Sequence, residues 1–235
     1  MQKFIRTKAV AAPLPLANVD TDMIIHAEYM KALTRSGQGR HLFRELRFDG
    51  NGRERADFIL NRPACRDTRI LVADRNFGCG SSREHAVWAL TDFGIRCVIA
   101  PSFGDIFAGN ARKNGLLLVR LPDECCARLR GEIEAAQYAP IEVDLEVQRI
   151  RLASGETIAF NVDPDDRRIL MEGLDDIART LRHADAIART CGATRRPRTM
   201  SAAMRKSSIR LLVQLPMKMR SSRWPAIARP AARSI

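Results

Sequence analysis

The stretch Arg75-Asn76-Phe77-Gly78-Cys79-Gly80-Ser81-Ser82-Arg83-Glu84-His85-Ala86 decides the fold prediction for this chain. A short β-branched run over residues 69–74 precedes it and predicts a buried strand. After it, apolar residues recur at helical spacing, which predicts a helix over residues 82–93 that ends at Gly94. The sequence therefore predicts a strand, a glycine turn and a helix in direct succession.

The turn between this strand and this helix is predicted to hold an anion. Gly78 and Gly80 let the backbone turn sharply and approach a ligand without an intervening Cβ. Ser81 or Ser82 is expected to cap the helix, which leaves backbone N–H groups and a positive dipole end facing outward. Arg83 adds a planar fork suited to a carboxylate. A capped turn without any ligand is the alternative that the pattern leaves open.

The glycine string matches none of the general nucleotide or nucleophile motifs. No third glycine falls at the dinucleotide spacing, and no Gly-Lys-Ser/Thr follows as in a P-loop. The Gly-x-Ser-x-Gly order of a nucleophile elbow is also absent from the string. Dinucleotide binding, P-loop chemistry and elbow-type hydrolysis are therefore not indicated.

The whole string is far more specific than its parts. Residues 76–86, Asn-Phe-Gly-Cys-Gly-Ser-Ser-Arg-Glu-His-Ala, strongly resemble the signature of the swivelling domain of the aconitase superfamily. With residues 18–25, Asn-Val-Asp-Thr-Asp-Met-Ile-Ile, the chain is similar to the family of 3-isopropylmalate dehydratase small subunits. The resemblance covers roughly residues 1–190 and extends to His41-Leu42-Phe43, Ala100-Pro101-Ser102-Phe103 and Asp105-Ile106-Phe107.

The resemblance implies an α/β fold, a swivelling β/β/α domain of the aconitase type with a parallel βαβαβ core, over residues 1–189. It implies a hydro-lyase subunit that interconverts 2-isopropylmalate and 3-isopropylmalate through 2-isopropylmaleate in leucine biosynthesis. The expected partner is the large subunit of a 3-isopropylmalate dehydratase, without which this chain is expected to be inactive. A [4Fe-4S] cluster is expected on that large subunit and no cofactor on this chain, whose substrate would be a small dicarboxylate.

The resemblance also assigns roles to individual residues. Ser81 would be the catalytic base, acting as an alkoxide, while Ser82 and Arg83 would bind substrate. The Thr21-Asp22 pair would lie at the active-site face, which makes Asp22 a further site residue with a role in substrate binding. An adjacent arginine, helix-terminal N–H groups and exclusion of water would all favour the charged form of a serine. Glu84 and His85 are expected to brace the loop rather than carry the chemistry.

Oxygen-bearing side chains alternate at Asn18, Asp20 and Asp22, which raises the question of a metal. An EF-hand loop would need more ligands, a glycine at its sixth position and a closing glutamate, and none of these follows. An Asx-type turn, in which the side chains bond backbone N–H groups, is the favoured interpretation, and no metal ligand is assigned. Met23 stands where aconitases proper carry a histidine, which argues against a tricarboxylate substrate.

Residues 34–39, Thr-Arg-Ser-Gly-Gln-Gly, predict either a mobile loop, a kind of segment that often carries specificity, or a plain surface connection. In the resembled family the loop in this region closes over the substrate and reads its variable side chain. A second substrate carboxylate would need another cation nearby. The candidates are Arg35, Arg40, Arg44 and Arg47, and their spacing does not choose among them.

Hydrophobic periodicity places the signature inside a larger α/β pattern. Strands are predicted at 69–74, 96–100 and 116–119, with helices at 82–93 and 103–113 between them, and Gly115 is expected to cap the second helix. This βαβαβ order predicts a parallel sheet with its site beyond the carboxyl ends of the strands. Further elements are predicted as a strand at 3–12 broken at Pro13, a helix at 123–137, strand-like runs at 141–145, 147–153 and 157–161 with a hairpin at 154–156, and helices at 164–171 and 174–182.

Charge and cysteine content limit the classes of function. The formal net charge of the chain is +12, but 11 Lys and Arg residues and no acidic residue follow Thr190, so the body is close to neutral. Residues 190–235 are predicted to be a basic, disordered or weakly helical extension, and nucleic-acid binding by it is disfavoured. The six cysteines form no Cys-x-x-Cys pair, and neither a signal peptide nor a membrane-length apolar run is visible. A cytoplasmic protein is therefore expected.

Two alternatives to the dehydratase interpretation remain at this stage. One is the small subunit of a related hydro-lyase acting on homoaconitate, citraconate or citramalate, or dimethylmalate, since the Gly-Cys-Gly-Ser-Ser string is widely shared. The other is a non-catalytic binding protein in which the basic extension matters and the anion site is vestigial.

Overall fold

A computed structural model describes residues 1–31, 34–81 and 83–194, and residues 1–183 of these form one compact unit. Its strands are β1 Arg6–Ala9, β2 Ala11–Leu14, β3 Ile70–Ala73, β4 Cys97–Ala100, β5 Leu117–Arg120, β6 Ile141–Asp144, β7 Arg149–Arg151 and β8 Thr157–Ala159. Its α-helices are α1 Thr21–Ile24, α2 Arg44–Arg47, α3 Glu84–Phe93, α4 Asp105–Asn114, α5 Asp123–Ala135, α6 Pro164–Glu172 and α7 Asp176–Leu181. A further helix, α8, covers Ala184–Thr194.

A parallel sheet with strand order β2-β3-β4-β5 forms the centre of the unit. Helices α3 and α4 connect its last three strands, so the predicted βαβαβ core is confirmed. The predicted first strand at 3–12 was wrong in its extent, because β1 and β2 belong to different sheets and Pro13 lies inside β2. Proline is tolerated there because β2 is an edge strand, where a missing N–H breaks no ladder on the open side.

The second sheet is antiparallel and has the order β1-β6-β7-β8. Strands β7 and β8 form the hairpin that was predicted around residues 154–156. Strand β1 pairs with β6, so the start of the chain and its later third share one sheet. These two sheets and the helices confirm the predicted α/β class.

Both faces of the parallel sheet are buried, which explains why its strands read as continuous apolar runs. Alternate residues of β3 point to opposite faces: Leu71 joins the core that includes α3, and Ile70 joins the core shared with α5 and the antiparallel sheet. Both side chains are 0% exposed. Burial of each such aliphatic side chain contributes about 1.5–3 kcal/mol, so the sheet is held from both sides.

The two helices that flank the site end as predicted but begin later. Gly94 and Gly115 close α3 and α4 with left-handed φ values of +112° and +78°. Helix α3 begins at Glu84 rather than at residue 82, and its N-cap residue is Arg83, without a side-chain capping bond. The predicted cap was Ser81 or Ser82: the Ser81 hydroxyl instead contacts a residue of α1, and Ser82 lies outside the described residues.

The predicted boundary between residues 189 and 190 falls inside α8, and it stays a prediction. Residues 195–235, which make up most of the predicted basic extension, lie outside the described part of the chain. Among the helices within the described ranges, none has both the length and the apolar character that crossing a membrane requires.

Candidate active site

The chain continues to pair beyond the carboxyl ends of β2, β3 and β4, and this extension builds the site. Asp20 and Cys79 form a parallel bridge, as do Phe77 and Phe103. The Gly78 N–H donates to the Val19 carbonyl at 2.7 Å, and the Thr21 N–H donates to the Cys79 carbonyl at 3.0 Å. Backbone hydrogen bonds therefore hold residues 18–21 alongside the glycine turn, at the sheet edge where a site was predicted.

Gly78 is required where the turn passes over helix α4. Its φ is +74°, and a Cβ at this position would lie 2.3 Å from Cγ of the Phe107 ring. That ring packs edge-on against Phe77 at 5.5 Å between centroids, so it cannot move away freely. Only glycine satisfies both the left-handed backbone and the close approach.

The Ser81 hydroxyl lies 3.2 Å from the Thr21 hydroxyl, which is also 3.0 Å from the Ser81 carbonyl oxygen and donates to it. Thr21 has only one hydroxyl hydrogen. While that hydrogen is donated to the Ser81 carbonyl, the bond between the two hydroxyls has Ser81 as donor and Thr21 as acceptor. Thr21 is 1% exposed, whereas Ser81 is exposed. The side chain predicted to be the base, Ser81, is therefore exposed and contacts the hydroxyl of a buried threonine.

Arg83 and Asp22, both predicted site residues, form an ion pair with each other through Nη1 and Oδ1. The Arg83 side chain is 27% exposed and that of Asp22 is 48% exposed. A guanidinium has five N–H donors, so this pairing leaves others for a further anion. The ion pair orients the remaining N–H donors of Arg83. This orienting role of Asp22 was not predicted from the sequence.

Asp20 accepts a hydrogen bond from the Met23 N–H at 2.7 Å and caps helix α1, so the Asx-type interpretation of this residue is confirmed. Asn18 uses its side-chain oxygen differently, accepting from Asn76 Nδ2 at 2.8 Å. Within residues 1–31, 34–81 and 83–194, no group of three or more His, Cys, Asp or Glu side chains could hold a metal ion. Ser82, predicted to bind substrate, lies outside the described residues.

Cys79 lies in the turn between Gly78 and Gly80 and is partly buried. Burial, and then the negative charge of Asp20, raise the pKa of its thiol. A neutral thiol is a weak nucleophile. The direction of this shift therefore disfavours a reactive thiolate at Cys79 in this turn.

The four candidate arginines of the loop region differ in their surroundings. Arg47 is 9% exposed and donates to Asn61 and to the Leu42 carbonyl, so it supports the fold. Arg44 lies over the rings of Tyr29 and Phe48, and Arg40 donates to His41. Arg35 lies 5.5 Å from the ring centroid of Trp88, on the helix that Arg83 caps. Of the four, Arg35 lies over a ring in the first half of α3, whereas Arg47 lies over Phe93 at the C-terminal end of that helix.

Glu84 and His85 brace the start of α3, as expected. Glu84 Oε1 accepts from Asn114 Nδ2 at 2.7 Å, and the His85 ring packs on Trp88 at 4.6 Å. The resemblance placed the Thr21-Asp22 pair at the active-site face, but the contact of Thr21 with Ser81 was not predicted. Asn114 was read only as part of a helix end, which gave no local signal for its contact with Glu84.

The fold and the site define the class of this protein. The family model of the aconitase C-terminal domain matches residues 1–124, and the model LeuD_N matches residues 127–164. The structure of 3-isopropylmalate dehydratase from Methanocaldococcus jannaschii has a TM-score of 0.58 and 24% identity, over 79% of this chain and 99% of that one, and supports the same fold. The chain is thus an aconitase-type swivelling domain.

Sequence relatives narrow this class. The 3-isopropylmalate dehydratase small subunit of Parvibaculum lavamentivorans is 53% identical over 80% of this chain and 94% of its own length. That of Rhodospirillum centenum is 54% identical over 80% of this chain and 92% of its own length. This chain belongs to the family of 3-isopropylmalate dehydratase small subunits.

Proposed function

We propose that this chain acts with a large subunit to interconvert 2-isopropylmalate and 3-isopropylmalate through 2-isopropylmaleate, in the cytoplasm. The observation that carries the proposal is the arrangement of Ser81, Thr21, Arg83 and Asp22 at one sheet edge of a chain in this family. The reaction needs a base for a weakly acidic C–H proton, a Lewis acid for the hydroxyl and anchors for two carboxylates. This chain offers the base and the anchors.

Ser81 is proposed to remove the proton as an alkoxide. In the resting state the Ser81 hydroxyl donates to Thr21, whose own hydrogen serves the Ser81 carbonyl. The Ser81 proton is proposed to leave to solvent before the C–H step, and rotation of the Thr21 hydroxyl then brings its hydrogen to the alkoxide, 3.2 Å away. The alkoxide takes the substrate C–H proton and returns to the hydroxyl. A positioned donor of this kind favours the charged form of Ser81 without reorganisation of the backbone.

Arg83 is proposed to bind one substrate carboxylate with the donors that Asp22 does not occupy. A planar guanidinium makes bidentate bonds to carboxylates, and the ion pair with Asp22 limits its rotation. Ser82 is proposed as a second ligand of the same carboxylate, on the basis of the family signature. Arg35, over Trp88, is proposed to reach the other carboxylate when the loop closes.

The Lewis acid is proposed to come from a [4Fe-4S] cluster on the large subunit, where it would take the leaving hydroxyl. Within the described residues the cysteines do not fit a cluster of this chain's own, since Cys65, Cys97 and Cys126 are buried and no three metal-binding side chains meet. The exposed Ser81 and half-exposed Asp22 agree with an open half-site that a second protein covers.

The test is an anaerobic assay with the large subunit from the same source. Loss of 2-isopropylmaleate is followed by ultraviolet absorbance, with citraconate and cis-aconitate in parallel. Activity on isopropylmaleate only when both chains are present supports the proposal, whereas preference for another alkene changes the substrate and keeps the mechanism. Absence of turnover with all three, despite an intact cluster and a stable complex, would favour a binding role.

Two substitutions then test the chemistry assigned to Ser81. Ser81→Ala is expected to abolish turnover while leaving binding of the large subunit unchanged. Thr21→Val removes the donor and is expected to lower kcat by about 10²-fold, as loss of one oxyanion donor does elsewhere. Thr21→Ser keeps a hydroxyl and is the matched control, expected to retain most activity. Equal activity of the Val and Ser variants would rule out the role given to Thr21.

A further inference from the structure

Asn114, the last residue of helix α4, is bonded to the start of helix α3 through its side-chain amide. Its Nδ2 donates to Glu84 Oε1 at 2.7 Å and to the Asn110 carbonyl at 2.9 Å. Its Oδ1 accepts from Trp88 Nε1 at 3.0 Å. Both N–H groups and the carbonyl of one partly buried amide are therefore used, and two of the three bonds go to α3.

We propose that Asn114 is a positioning residue for the carboxylate-binding end of α3, acting through Glu84 and Trp88. This inference rests on the proposed function, because Arg83 is taken to bind substrate. Glu84 is the first residue of α3 and follows Arg83 directly, so the bond from Asn114 fixes the backbone from which the Arg83 side chain extends. Asn114 itself touches no substrate in this arrangement.

The indole of Trp88 links Asn114 to Arg35 in the loop of residues 34–39. Arg35 lies 5.5 Å from its ring centroid, and the bond to Asn114 fixes the plane of the ring. A cation over an aromatic face is attracted by the ring quadrupole, and the attraction depends on that orientation. One amide therefore supports both proposed carboxylate-binding arginines, through the residue that follows Arg83 and through the ring beneath the Arg35 guanidinium.

The chemistry of the contact requires both a donor and an acceptor at position 114. In Asn114→Asp the Trp88 bond is kept, but a carboxylate oxygen faces Glu84, and the repulsion raises the pKa of this carboxylate pair. A shared proton restores a bond as pH falls. The double variant Asn114→Asp with Glu84→Gln also restores it, because the glutamine amide donates to the aspartate.

The experiment measures kcat and KM for isopropylmaleate with the large subunit across pH. Each constant of a variant is divided by the wild-type constant at the same pH, so that the pH effects of His85 and other groups common to both proteins cancel. We expect Asn114→Asp to raise KM about tenfold or more near pH 8, since small misplacements of binding groups are costly. The KM of Asn114→Asp relative to wild type should fall back toward 1 as pH decreases to 6. The double variant should have a KM much closer to that of wild type at all pH values. Glu84→Gln alone, which keeps an acceptor, should stay within about threefold of wild type.

A second pair of variants covers the case in which Asn114→Asp does not fold. Glu84→Leu removes the acceptor and leaves the Trp88 bond, so it should raise KM where Glu84→Gln does not. The fluorescence of Trp88, isolated in a Trp224→Phe background because the chain has two tryptophans, reports the contact without any turnover. Its emission should change with pH in Asn114→Asp beyond the change that wild type shows, since the His85 ring packs on Trp88 in both proteins.

Three results would overturn the inference. They are an unchanged KM in Asn114→Asp and Glu84→Leu, no recovery in the double variant, or Trp88 emission in Asn114→Asp that follows that of wild type at every pH. If wild-type complex turns over none of the alkenes, the proposed function fails, while the emission data still decide whether Asn114 holds this end of α3.

Discussion

Replacing Gly78 with alanine tests whether the glycine turn is held as tightly as the structure shows. The new Cβ would lie 2.3, 2.6 and 2.7 Å from three atoms of the Phe107 ring, at the ring body rather than at a flexible tip. Overpacking of this kind costs about 1–3 kcal/mol. The left-handed φ of +74° adds about 1–2 kcal/mol for a residue with a side chain. We expect Gly78→Ala to lose about 2–5 kcal/mol of unfolding free energy.

Gly155→Ala is the matched control, because Gly155 has a φ of +89° and no atom within 4 Å of an added Cβ. It should lose only the conformational part, about 1–2 kcal/mol. Urea unfolding followed by circular dichroism measures both variants, and with a slope of about 2 kcal/mol/M the Gly78 variant should unfold roughly 1–2.5 M earlier. Turnover with the large subunit should fall as well, since the turn carries Ser81.

A double-mutant cycle with Phe107→Ala separates the clash from other causes. If the new methyl group clashes with the ring, the double variant should lose less unfolding free energy than the sum of the two single losses, by about 1 kcal/mol or more. Additive losses, or a Gly78→Ala variant no less stable than Gly155→Ala, would refute the reasoning about close packing at this turn.

Three further outcomes are expected. Asp22→Asn removes the charge that orients Arg83, so KM should rise about three- to tenfold with kcat little changed; an unchanged KM would show that the pair has no role in binding. Burial, with the positive charges of Arg40 and Arg44, lowers the pKa of His41 below its ordinary 6.5, so the stability it contributes is complete above that pH and is lost as pH falls through the lower value. His41→Phe keeps the stacking on Tyr29, and its Tm should therefore fall less than that of wild type on acidification to about pH 5, whereas equal losses would contradict this account. Burial raises the pKa of Cys97 and raises that of Cys126 to about 11, so both thiols should resist alkylation in the native protein at about pH 8 and react after unfolding, as measured by peptide mass spectrometry.

The parallel core was predictable from the sequence because its signals are local. Continuous apolar runs mark strands buried on both faces, and Gly94 and Gly115 mark the ends of the intervening helices. The right-handed crossover rule then leaves few topologies. Strand β2 was misjudged, because proline is a strand breaker in general and only the strand order shows that Pro13 lies on an edge.

The site was predictable in its location and less so in its contacts. A serine before a helix is commonly a cap, but Ser81 contacts a hydroxyl 60 residues earlier in the chain, and no local pattern carries that information. Four loop arginines have equivalent spacing, and the Trp88 ring that distinguishes Arg35 is on a distant helix. The ion pair of Arg83 with Asp22 is likewise a product of tertiary packing.

The edge position of β2 affects the order in which parts of the protein fold and unfold. Residues 18–22 follow β2, and their bonds to the glycine turn join parts of the chain about sixty residues apart. Such non-local parallel pairing has a high contact order, so it forms late and opens early. Mild heat or denaturant should therefore release the N-terminal segment first, and exchange at the Gly78 and Thr21 amides should outpace exchange within β4. Loss of activity would then precede loss of the core.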